Sequence, residues 1–141
     1  MVSACVAVLG MILEAIADQH KYQRKRQQQQ PQQQQHKSKK EEVSKKVLFV
    51  GPTTWTYKLC RHPNYLGEIL HWIGLFGVGS VSFGTSPVAW ISGVIGLGGI
   101  LSIMFGASAR LDIKQDEMYH GQSMFEEWKK TVPSSLIPFF K

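Results

Sequence analysis

The stretch VAWISGVIGLGGILSIMFGASA, residues 88–109, holds no ionisable side chain. As a helix rising ~1.5 Å per residue it covers ~30 Å, the thickness of a bilayer's hydrocarbon core. Its glycines weaken a soluble helix but let membrane helices approach closely. The alternative is a buried core helix, and a chain of 141 residues could hardly surround so long an apolar rod. Working backwards, Gly84-Thr85-Ser86-Pro87 reads as a tight turn. Before it lies a second apolar run, residues 69–86, with His71 as its one ionisable group. The two runs predict an antiparallel helical hairpin.

A third run, residues 2–17, carries Glu14. A secretory signal is one reading, and Ala15-Ile16-Ala17 resembles a cleavage site. A signal places its basic residues before the apolar run, however. Here Lys21, Arg24, Lys25 and Arg26 follow it, which favours a membrane helix. All 16 Lys and Arg lie in residues 21–61 or 110–141, and the turn between the later spans has none. The positive-inside rule then puts the middle segment and the C-terminus in the cytosol. The fold class is therefore an all-α integral membrane protein of about three transmembrane helices, including the C-terminal hairpin.

Overall averages hide this segregation: hydrophobic residues make up 43% and the net charge is +6. The expected organisation is a membrane helix over 1–20, a disordered Gln-rich basic loop over 21–46, and a membrane domain over 47–141. The tract Gln27–Gln30, Pro31, Gln32–Gln35 lacks the apolar surface needed to offset chain entropy. Its charges fit RNA or anionic lipid, but without interleaved aromatics to stack bases it reads as a solvated cytosolic loop, and no nucleic-acid partner is expected. Cys5 and Cys60 read as small buried hydrophobes; no ligand set has zinc spacing, so no metal is expected. Residues 47–60, broken by Gly51-Pro52, read as lying at the membrane surface. Met118, Phe125 and Trp128 recur at near-helical spacing in an amphipathic cytosolic tail, ended by Pro133 and Pro138 in an apolar end packed on the bundle.

The chemistry concentrates in Arg61-His62-Pro63-Asn64-Tyr65-Leu66-Gly67-Glu68, at the mouth of the second run. Pro63 suits the first turn of a helix. From there Asn64, Glu68 and His71 or Trp72 fall on one stripe entering the bilayer, and Gly67 leaves room for close approach. A central, unpaired carboxylate in a membrane costs ~2.5 kcal/mol or more, so Glu68 is expected to face a cavity, a partner or a ligand. Lys58 and Arg61 beside a helix N-terminus attract phosphate. The competing reading is a helix cap with snorkelling side chains and no ligand. His71 either lines the pocket or makes a helix-to-helix hydrogen bond. His120 reads as part of a solvated turn, and Trp72, Phe83 and Trp90 as packing or interface anchors.

Trp55-Thr56-Tyr57, the octet from Arg61 to Glu68, Trp72 and Gly74 together resemble the steroid 5-alpha-reductase C-terminal family. The similarity is greatest to its multi-span membrane branch. Glu14-Ala15-Ile16-Ala17-Asp18 followed by Lys21 is similar to that branch's upstream signature. Phe125-Glu126-Glu127-Trp128, Val132-Pro133 and Leu136-Ile137-Pro138-Phe139 resemble the family's C-terminal end. The resemblance implies a membrane-embedded reductase, resident in the endoplasmic reticulum, that uses NADPH. Its reaction would reduce a carbon–carbon double bond of a steroid or other lipid. By position, Arg61, Asn64, Tyr65, Gly67, Glu68, Arg110 and Tyr119 would belong to the cofactor pocket. Glu68 would be the catalytic residue near the nicotinamide, and Arg61 would support a phosphate. Family members usually have six or seven spans. The N-terminal half that completes the substrate pocket and supplies a polarising tyrosine and acid is not among the three spans read here. The resemblance thus implies a truncated or incomplete form, with the absent spans as partners. Isoprenylcysteine and phospholipid methyltransferases share a similar Arg-His-Pro-x-Tyr-x-Gly opening and use S-adenosylmethionine. Asn64, Glu68 and Trp72 favour the reductase. A non-enzymatic membrane protein using the octet as a structural corner is the remaining alternative.

Overall fold

A computed structural model describes residues 1–35 and 48–138, with side chains described outside 27–35. The described chain is helical: α1 (Val2–Gln35), α2 (Pro63–Gly79), α3 (Pro87–Tyr119) and α4 (Ser123–Thr131), with short 3-10 turns at Trp55–Lys58 and Ser80–Ser82. Two segments, Val2–Arg26 and Pro87–Tyr119, are long and apolar enough to cross a membrane. In α3 none of the most apolar window is buried inside the protein. Among the described residues, then, nothing buries α3 as a core helix would be buried, with its apolar faces hidden from solvent.

Three expectations need correction. The second apolar run is helical from Pro63 to Gly79 and then tightens into the 3-10 turn Ser80–Ser82. At ~1.5 Å per residue, its 17 residues are at the short limit for a span. The segment expected to be disordered from residue 21 is helical to Gln35; residues 36–46 lie outside the described residues. Gln, Lys and Arg are good helix formers, and the apolar half of α1 supplies the costly nucleus, so propagation continues through a polar sequence. The amphipathic tail is split: α3 carries Met118 and stops at His120, while Phe125 and Trp128 belong to α4. Gly121, at φ +80°, turns the chain there.

Backbone contact joins α1 to α2. They run antiparallel, with small residues facing each other from Ser3–Gly77 through Ala7–Gly74 to Gly10–Gly67. A Cβ on Gly67 would lie 2.6 Å from the Glu14 nitrogen and 2.7 Å from the Gly10 carbonyl oxygen. This is the small-residue packing by which membrane helices gain dispersion contact without a hydrophobic drive. His71 Nδ1 donates to the Ala7 carbonyl oxygen at 3.1 Å, so the helix-to-helix bond is the role it takes. Cys5, on α1, is exposed rather than buried.

The link from α2 to α3 follows turn chemistry. Gly84 takes φ +51°, Ser86 caps α3 by accepting from the Ala89 N–H at 3.4 Å, and Pro87 occupies the first turn. Trp90 Nε1 donates to the Gly84 carbonyl at 3.1 Å. The Phe83 ring stands edge-on to Phe76 and Trp90. At the other, polar end a compact core forms from Ala17, Phe49, Tyr57, Phe125, Trp128 and Val132, with Tyr119 against it. Phe49 stacks on Trp128 with ring centroids 5.4 Å apart. Trp128 Nε1 donates to the Tyr57 carbonyl at 3.3 Å, and the Tyr57 hydroxyl donates to the Ala17 carbonyl at 3.4 Å.

Candidate functional site

The octet begins just outside α2, with His62 at the helix entrance and Pro63 in the first turn. Its first two residues pair with the C-terminal tail: the Arg61 and His62 N–H groups donate to the Ser134 and Ser135 carbonyls, each at 3.0 Å. Asp112, near the end of α3, ties these strands of chain together. Its Oδ1 accepts from Arg61 Nε at 3.1 Å and His62 Nε2 at 2.8 Å. Its Oδ2 accepts from Arg61 Nη2 at 2.8 Å and the Ser135 hydroxyl at 2.5 Å. Arg61 Nη1 further donates to the Val132 and Pro133 carbonyls at 3.3 and 2.7 Å. The guanidinium side chain is 11% exposed and the carboxylate side chain 20%. Such a bidentate, charge-assisted pair is among the stronger hydrogen-bonded contacts. Arg61 therefore holds the octet to α3 and the tail.

Beside this clamp is a cavity of about 120 Å³. Arg61, Asn64 and Tyr119, three of the residues expected at a cofactor site, line it together. Lys21, Arg24 and Lys25 on α1 and Gln115 on α3 add to its wall. Gln115 Oε1 is buried and without a hydrogen-bond partner among the described residues. The cavity thus offers several cations and two amides, one of them with an unpartnered acceptor oxygen, a set of groups suited to a phosphate-bearing, hydroxyl-rich ligand.

The other expected residues lie elsewhere. Gly67 is consumed by contact with α1. Glu68, half-buried, lies where its charge interacts with that of Glu14 across the helix pair, and it does not line the cavity. Tyr65 packs beside His62, ring centroids 5.9 Å apart. Arg110 is exposed and folds back along α3 over Gly106. His120 is a solvated turn residue, its side chain 86% exposed and 3.3 Å from Glu126. Asp112, Gln115 and the α1 cations were not singled out from the sequence for this site. The signal available for Asp112 is that it is the first acid after the long apolar run.

Burial also sets two ionisations here. It holds the Tyr57 phenol well above its ordinary range. It raises the Cys60 thiol from 9.0 to about 11. Cys60 is fully buried, and the reactive species is the thiolate. Iodoacetamide at pH 8 should therefore leave Cys60 unmodified in the folded protein and modify it after denaturation. Peptide mass spectrometry reads the difference; complete labelling of the folded chain would refute the burial. The unfolded thiol ionises near pH 9 while the folded thiol does not. This group's stabilising contribution is therefore full below pH 9 and is lost as pH rises towards 11.

Among the described residues no group of three His, Cys, Asp or Glu could hold a metal ion. The family model described as "Protein of unknown function (DUF1295)" matches residues 1–132. No curated protein and no solved structure matches the chain.

Proposed function

The chain belongs to the DUF1295 family, and from that premise we propose that it is a membrane-embedded, NADPH-dependent reductase of a carbon–carbon double bond in a steroid or other lipid. The observation that carries this reading is the cation-lined cavity shared by Arg61, Asn64 and Tyr119. Resemblance of the octet to the steroid 5-alpha-reductase C-terminal family supports the same assignment. The polar end would face the cytosol of the endoplasmic reticulum membrane, where the nucleotide is found.

The residues present fit one polar end of such a cofactor. At about 120 Å³ the cavity is smaller than the roughly 300–1,000 Å³ of whole-ligand pockets, so it would receive a phosphate-bearing part. Lys21, Arg24 and Lys25 would hold the phosphate, and the orphaned Gln115 Oε1 would accept from a hydroxyl or amide. Asn64 would orient the group from the first turn of α2. Arg61, committed to Asp112, would position the octet rather than bind. Glu68 stands one turn further into the helix pair, on the Asn64 stripe, and would meet the reactive end. When bound, NADPH supplies the hydride.

Calorimetric titration of the purified chain in detergent tests this. NADPH should bind more tightly than NADH. Lys21→Gln with Arg24→Gln should weaken NADPH by about tenfold or more, the scale of one to two charge-assisted hydrogen bonds. Asn64→Ala and Glu68→Gln should weaken it as well. Binding of S-adenosylmethionine without NADPH would replace the proposal with a methyltransferase, and binding of neither would favour a non-enzymatic role.

A further inference from the structure

A second hollow lies on the opposite side of α1's polar half. This groove, about 690 Å³ in volume, is lined by Ala15, Ile16, Gln19, His20, Gln23 and Trp55. Below it on the same helix, towards the middle of the span, Ile12 and Leu9 are exposed. Apolar surface therefore continues from the groove into the hydrocarbon region. Above it, three residues after Gln23 and on the same helical face, stands exposed Arg26.

Two features of the lining have no explanation within the chain. His20 Nε2 is 3.4 Å from the Thr54 hydroxyl, yet Nδ1 is buried without a hydrogen-bond partner among the described residues. Burying a polar nitrogen unsatisfied is costly. Trp55 is held at φ +57°, a left-handed conformation that is strained for a bulky side chain. The residue is nonetheless 77% exposed, so the strain is not repaid by packing. An indole at the end of an apolar span suits the boundary between acyl chains and headgroups.

We propose that this groove binds one bilayer phospholipid with an anionic headgroup. An acyl chain lies along Leu9, Ile12 and Ile16 under the Trp55 ring. The headgroup reaches Gln19, Gln23 and Arg26, whose guanidinium lies over the Tyr22 ring, 5.7 Å from its centroid, and meets the headgroup with opposite charge. This site rests on insertion of α1 in a bilayer and is independent of the nucleotide assignment, whose cavity lies on other residues.

The test uses the full chain in nanodiscs containing phospholipid brominated on the acyl chain, which quenches tryptophan on contact. Emission from Trp55 is taken as the difference between the wild type and Trp55→Phe. Brominated phosphatidylglycerol should quench it about fivefold more than brominated phosphatidylcholine at equal mole fraction, the preference one basic side chain confers near an anionic surface. Gln23→Ala with Arg26→Gln should bring that ratio to one, while Lys130→Gln, basic but off the groove, should leave it unchanged. Equal quenching by both headgroups, or an equal loss on Lys130→Gln, would overturn the site in favour of bulk or diffuse lipid contact. No quenching by either lipid would overturn it by removing the groove from the bilayer, while NADPH titration would be unaffected.

Discussion

Replacing Asp112 with Ala should detach the C-terminal tail and destabilise the polar end more than any other single polar substitution. The carboxylate receives four hydrogen bonds from three side chains on two separate segments. Removing it leaves the Arg61 guanidinium and the His62 ring, 3% exposed, without their acid. Breaking a buried ion pair from one side typically costs ~3–5 kcal/mol. The carboxylate's partial exposure lets water enter, so about 2–4 kcal/mol is expected. Denaturant titration in detergent measures that loss. Limited proteolysis should then cut in residues 132–138, which are protected in the wild type by the Arg61 and His62 pairing to Ser134 and Ser135. Asp112→Asn should fall between, since the amide keeps one acceptor oxygen but loses the charge and turns a donor towards the groups the other oxygen served. An unchanged midpoint with an uncut tail would refute the clamp.

Adding a methyl group at Gly74 should also destabilise the protein, for a steric reason. A Cβ there would lie 2.6 Å from Ala7 Cα and 2.7 Å from Ala7 Cβ, in contact with Ala7 N as well. The obstacle is the facing backbone, so no side chain can rotate away and the helices must separate. Overpacking costs ~1–3 kcal/mol, against a helix-propensity gain of ~1 kcal/mol for Gly→Ala. Gly74→Val adds a branched side chain to the same clash and should abolish α1–α2 packing. Gly98→Ala on α3 is the matched control, because nothing lies within 4 Å of its Cβ position. Thermal denaturation of the three variants should rank Gly98→Ala at or above the wild type, then Gly74→Ala, then Gly74→Val. A Gly74→Val protein as stable as Gly98→Ala would refute the backbone contact.

Much of the frame was legible because it depends on local chemistry. An uncharged run dictates α3, Ser86-Pro87 dictates its start, and Pro63 dictates the start of α2. The continuation of α1 to Gln35 was not legible, because composition reports the lack of a core and not the helix nucleus already paid for upstream. Within the site, the octet marked the right neighbourhood, and Asn64 and Tyr119 do share a cavity. Asp112 escaped notice because its meaning lies in Arg61, 51 residues away, and Ser135, 23 residues away. A lone acid carries no record of such partners. Gly67 signals close approach to its backbone, and α1 is what approaches; spacing alone does not say which partner comes near.

Helix α3 is fastened at its two ends, by the Phe83–Trp90 contact and by Asp112. Between them, Gly96, Gly98 and Gly99 have no neighbour on their open side. It is strung like a bow, and the restoring force on its middle comes from whatever surrounds it. In a bilayer that is the acyl chains, so lipid chain length and unsaturation should act on the middle of α3, where the described residues offer those glycines no contact.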